Sequence, residues 1–203
     1  IRNLSGMWKL MFPDVYTRYF DVPQNFRDDI GGTYYINELN ELKTGLEEVS
    51  GRKIEDDALR RSIALYNENR RLVNDVYALR AKQPWKAPAS EVYLVIRAGM
   101  VLDVEEHSQL IRDYLAAAEA EDRPPRDNCR ILIQGSFCEQ PPLNLIKSIE
   151  LAGCYIVDDD YILGTRWLLE DVPVDGDPIA NLAHAFLHQS TDCAAKYEPD
   201  GTR

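Results

Sequence analysis

The chain has 203 residues, with 34 Asp and Glu against 23 Lys and Arg and a formal net charge of -11. That length supports one large core or two small ones, and so acidic a surface repels phosphate backbones, which excludes nucleic acid as a general partner. No apolar run reaches the ~18 residues of a membrane span; the four cysteines, Cys129, Cys138, Cys154 and Cys193, show no CxxC spacing, so a reducing cytoplasm is expected, not a disulfide framework.

The chain opens at Ile1 in a helical-looking stretch and stops in the turn-rich phrase YEPDGTR. Both ends read as cut from a longer protein. Residues 37–49 carry Leu39, Leu42, Leu46 and Val49 at helical spacing, and Gly51 is a natural stop. In the next helix Leu59, Ile63, Tyr66, Val73 and Tyr77 trace one face, Glu55, Asp56 and Asp57 favour its positive N-terminal end, and Pro84 closes it. Residues 90–97 read as a short helix. Residues 104–121 read as a longer one, with Leu110, Ile111, Tyr114 and Leu115 inward.

The connector RPPRD at 123–127 is polar and stops helices. It places a domain boundary there: 1–125 is the helix-rich part of an N-terminal α/β domain, and 126–203 begins a C-terminal parallel α/β domain. In the latter, RILIQ (130–134) is a buried-strand run, Pro141 and Pro142 suit the first turn of a helix that ends at Gly153, and residues 154–157 are a second strand. Strand, helix, strand is a parallel βαβ unit. The expected fold class is therefore α/β, helix-rich first and Rossmann-like or flavodoxin-like afterwards. Asp177 and Pro178 read as the cap and first residue of a helix through His188.

Parallel sheets bind ligands beyond the carboxyl ends of their strands, which singles out residues 135–140 and 158–160. Cys138 would lie between a strand end and a helix N-terminus, where the dipole favours thiolate, and is the candidate cofactor-binding residue; packing is the alternative. Cys129 and Cys154 read as packing residues. Asp158, Asp159 and Asp160 cannot converge on one ion from an extended chain, so one inward acid in a solvated loop is expected, with Arg166 as a partner for an acid or a substrate anion. His184 and His188 share a helix face, a spacing zinc uses, yet no HExxH is present and Cys193 is the sole obvious third ligand. His107 has no suggestive neighbours. Tyr34, Tyr35, Trp8, Trp85 and Trp167 offer platforms for a flat ring. There is no GxGxxG, P-loop or GxSxG motif.

Continuous phrases add to this: NLSGMW (3–8), YFDVP (19–23), SIALYN (62–67) with RRL (70–72), GSFC (135–138), PPLNL (141–145), SIELAG (148–153), VDDD (157–160) through GTR (164–166), and NLAHAFLH (181–188). Together they resemble the middle of the benzoyl-CoA reductase / 2-hydroxyacyl-CoA dehydratase family, most of all its reductase subunits of the C or B type. The resemblance implies an oxidoreductase subunit with a 4Fe-4S cluster near a coenzyme A thioester pocket, beside a related sister subunit. A separate ATP-hydrolysing activator supplies the electrons. In the reductase branch benzoyl-CoA is dearomatised; in the dehydratase branch a hydroxyl is expelled through a radical.

The cluster cysteines of the family fall mostly outside this segment, and Ile162 stands where relatives often carry cysteine. No catalytic residue carries over. Three readings follow: a reductase subunit first, a dehydratase subunit second, and a non-catalytic structural subunit third.

Overall fold

The computed structural model describes residues 2–134, 141–161 and 170–189, and the expected α/β class holds. Helix α1 (Arg2–Met11) comes first; a single π-helical turn, Asp28–Gly32, then runs directly into α2 (Thr33–Ser50). Gly31 is required in that turn, because a Cβ there would lie 1.6 Å from the Asn25 carbonyl oxygen. Gly51 ends α2 as expected: its φ of 65° is left-handed, and its N–H returns to the Glu47 carbonyl. The apolar stripe of α2 is only half used, since Leu46 and Val49 remain exposed.

Helix α3 (Asp56–Lys82) begins at the acidic cluster and stops before Pro84. Its inward positions are Ile63, Asn67, Val73, Val76 and Arg80. Tyr66, expected on that face, is 56% exposed. The polar Asn67 takes the inward place because its amide closes a pair of bonds: Nδ2 donates to the Val172 carbonyl at 2.8 Å, and Oδ1 accepts from the Val172 N–H at 2.9 Å. Such satisfaction makes a buried amide tolerable.

After α4 (Ala89–Ala98) and α5 (Val104–Ala120), strand β1 (Cys129–Ile133), helix α6 (Leu143–Leu151) and strand β2 (Cys154–Asp159) form the expected parallel βαβ unit. Pro142 is not in the first turn of α6. It stands at the N-cap with ψ of 141°, because a ring-locked φ near −65° serves an extended cap as well as a helical position. Gly153, at φ of 87°, turns the chain from α6 into β2.

Two compact units result, Ile1–Ser62 with Pro173–His188, and Ile63–Val172, the division falling inside α3. In the first, Phe186 packs against Tyr35 and Phe26 with ring centroids 4.8 and 5.6 Å apart. Phe186 belongs to α7 (Pro178–Gln189), whose cap is Asp177 as expected: Oδ1 accepts from the N–H groups of Ile179 and Ala180 at 2.9 and 3.2 Å.

In the second unit, α4 is apolar on two sides. Val92 and Ile96 join Val73, Val76 and Ile111 in one core, while Ala89 and Tyr93 join Ile146 and Ile156 in another, against the sheet. Ile156 is fully buried, which stabilises the unit by about 1.5–3 kcal/mol.

Candidate functional site

The carboxyl ends of β1 and β2 hold a buried polar cluster. Its placement begins with an irregular register: Ile131 pairs with Ile156, but Leu132 pairs with Asp158, so Val157 is an extra residue in β2. One inserted residue reverses which side chains point inward. Ile156 faces the core and Asp158 faces out, with its side chain 59% exposed, while Asp159 turns in and is 1% exposed. The expectation of one inward acid holds, although Asp158 and Asp159 belong to the strand and not to a loop.

Asp159 meets three partners. Arg80 Nη1 lies 2.6 Å from Oδ2 as an ion pair, though off the line of a hydrogen bond, and the Tyr77 hydroxyl and the Tyr161 N–H each donate to Oδ1 at 3.0 Å. The Arg80 guanidinium also lies over the Tyr77 ring, 4.4 Å from its centroid. Arg80 Nη2 comes within 3.7 Å of Asp158, but neither Nη2 nor Nε has a hydrogen-bond acceptor among the described residues.

Burial, reinforced by the Asp159 charge, pushes the Tyr77 hydroxyl well above the ordinary tyrosine range. The same causes push Tyr161 up to about 12. Near neutral pH both remain protonated, so neither supplies a tyrosinate base. Tyr161 also meets Tyr93 edge-on at 6.1 Å, which ties the chain beyond β2 to α4.

Sequence reading missed Arg80 and half-saw Asp159. The available signal was a charged residue falling on the apolar face of a long helix. It missed His107 too, which is 5% exposed. Asn69 Nδ2 lies 3.0 Å from its Nδ1, and the Val95 carbonyl lies 2.9 Å from its Nε2, so the buried ring is a strut that ties α5 to α3 and α4.

Among the other candidates, Cys138, Cys193, Arg166 and Trp167 lie outside the described residues. Cys129 is exposed, not packed, because it opens an edge of β1; Cys154 is half-buried opposite it. The His184 and His188 rings lie 4.4 Å apart, but His188 is already committed to Asp28 at 2.7 Å. No group of three or more His, Cys, Asp or Glu among the described residues could hold a metal ion. The described residues therefore do not supply a donor set for an iron–sulfur cluster, which requires several thiolates. No helix among them is long and apolar enough to cross a membrane.

Comparison with known proteins adds the lineage. Residues 1–203 match the family model described as 2-hydroxyglutaryl-CoA dehydratase, D-component. The chain is 67% identical to the C-type subunit of benzoyl-CoA reductase from Thauera aromatica, over 98% of this chain and 51% of that protein. It is 29% identical to the beta subunit of lactoyl-CoA dehydratase from Anaerotignum propionicum, over 92% of this chain and 49% of that protein. It is 26% identical to the (R)-phenyllactyl-CoA dehydratase beta subunit of Clostridium sporogenes, over 90% and 48%. The chain spans about half the length of these curated relatives. On the full-length family match, the chain belongs to the 2-hydroxyglutaryl-CoA dehydratase D-component family.

Proposed function

We propose that the chain is part of a benzoyl-CoA reductase subunit, an oxidoreductase component that takes part in ATP-dependent reductive dearomatisation of benzoyl-CoA to a cyclohexadiene-carboxyl-CoA. The observation that carries this reading is the 67% identity to the C-type benzoyl-CoA reductase subunit over nearly the whole chain. A 2-hydroxyacyl-CoA dehydratase subunit is the second reading, favoured by dehydratase relatives at 26–29% identity. The difference in identity ranks the first above it.

In this proposal the partners are an acyl-CoA substrate, a related sister subunit and a separate ATP-hydrolysing electron activator, in an anaerobic cytoplasm. A 4Fe-4S cluster belongs to the whole subunit, with its anchoring thiolates mostly outside the described residues. Cys138 is the candidate donor in this segment. The residues of the present chain contribute structure: the Arg80–Asp159 pair and the Val157 bulge fix the end of β2, the side of a parallel sheet where ligands enter.

The test is anaerobic purification of the intact protein with its sister subunit and activator, followed by supply of benzoyl-CoA and a 2-hydroxyacyl-CoA in separate assays. Ring reduction is the expected result. Dehydration alone would establish the second reading. A complex without iron and inert toward both thioesters would leave a structural subunit.

A further inference from the structure

At the opposite, amino end of the two strands lies a cleft of about 440 Å³, within the second unit alone. It falls in the size range of small-molecule pockets. Its floor is apolar: Pro84, Trp85, Pro88 and Ile156 line it, and Trp85 and Tyr155 stand with ring centroids 6.4 Å apart at 56°. These walls are held from behind. The Tyr155 hydroxyl accepts from the Arg126 N–H at 2.9 Å, and Glu150 Oε1 accepts from the Ser90 N–H at 3.2 Å, bracing α6 against the start of α4.

The rim carries charge of two kinds. Arg123 is spent on structure, paired with Glu91 and Glu121 at 2.9 and 2.5 Å. Arg126 and Lys147 also line the cleft, and no carboxylate among the described residues pairs with either side chain. Against them stands Asp122, with Glu150 already engaged. Two such cations at one mouth are notable in a chain of net charge -11, where most surface repels anions.

We propose that this cleft is a binding site for a planar aromatic ring bearing one anionic group, a carboxylate or a phosphate. The ring lies on the Trp85 side of the floor, where an aromatic face adds stacking to burial. The anion reaches Arg126 and Lys147, whose charge-assisted bonds set its orientation. The site is separate from the strand ends where the proposed reaction belongs, so its occupancy does not depend on that reaction.

The test uses the intact protein with four probes: benzoate, adenosine monophosphate, the uncharged benzamide and inorganic phosphate. Binding is read by quenching of the Trp85 emission, assigned with a Trp85→Phe variant, and by slowed alkylation of Cys154, which lines the cleft. Cys129, exposed and not among the lining residues, is the internal reference for alkylation. Benzoate or adenosine monophosphate is expected to bind at least ~10-fold more tightly than benzamide or phosphate, and which of the two prevails separates carboxylate from phosphate. The double variant Arg126→Gln, Lys147→Gln is expected to weaken binding at least ~10-fold. No protection of Cys154 by any probe, or benzoate and adenosine monophosphate both binding no more tightly than benzamide and inorganic phosphate, would overturn the proposal, whatever the enzymatic assay returns.

Discussion

Arg80 and the Asp159 side chain are each 1% exposed, so both charges at the carboxyl end of β2 have given up nearly all their water. Removing one partner leaves the other buried and uncompensated. Arg80→Ala is expected to cost about 3–5 kcal/mol of unfolding free energy, read from denaturant midpoints on the intact protein. The paired change Arg80→Met with Asp159→Leu is expected to recover part of that loss, because no buried charge is left uncompensated, while the Tyr77 hydroxyl and the Tyr161 N–H lose their acceptor. If the pair variant is as unstable as Arg80→Ala, the cost lies in packing and hydrogen bonding and not in charge. Cys138 is decided at this scale as well. If it is a cluster thiolate, Cys138→Ser lowers the iron content of the anaerobically purified protein by about a third or more; unchanged iron assigns it to packing.

At the scale of elements, the turn from α2 into α3 is held by one carboxylate. Glu47 accepts from the Ile54 N–H and from Lys53 Nζ, each at 2.8 Å. The Lys53 bond, helped by the Ile54 N–H, holds the Glu47 carboxyl below its ordinary range. A lowered carboxyl value means the contribution is present above the unfolded-state value and is lost as pH falls through the folded one. Hydrogen exchange at the Ile54 amide is therefore expected to accelerate, beyond the intrinsic pH trend, as the solution is acidified below pH ~4. In Glu47→Gln that acid-dependent opening should vanish; its persistence would place the acid sensitivity elsewhere. The βαβ unit shows a different kind of dependence. Its hydrophobic spacing made strand, helix and strand visible, but the extra Val157 that turns Asp159 inward left no mark in the pattern, because a bulge belongs to the pairing of two strands and not to either one.

For the whole molecule, four tyrosines matter together. Burial raises Tyr35, Tyr77, Tyr114 and Tyr161 above the ordinary tyrosine value, with nearby carboxylates adding to the last three. A raised value means the folded state keeps protons that the unfolded chain releases, so stability is intact below pH ~10 and declines as pH rises above it. Tyrosinate absorbance at alkaline pH should appear in two steps: the exposed tyrosines first, and the buried ones together with unfolding. A single step near the ordinary value would contradict their burial. The proposed boundary near residue 126 is also a question for the whole protein. Limited proteolysis of the intact protein is expected to cut first within the RPPRD connector at 123–127; protection of that segment would argue against a boundary there.

Length, charge, periodicity and turn residues by themselves determined the class of the fold, most helix positions, the caps at Gly51 and Asp177, and the parallel βαβ unit. They did so because each depends on neighbours within a few positions, whose preferences are written locally. The continuous phrases determined the family as well, since they preserve order over the whole chain. Tertiary structure alone decided that Asn67 and not Tyr66 faces inward, that Arg80 and Asp159 are buried against each other, and that a cleft opens at the amino ends of the strands. These residues lie far apart in sequence, so their partners are chosen only when long-range packing brings them together. A buried charge is tolerated only where such a partner arrives.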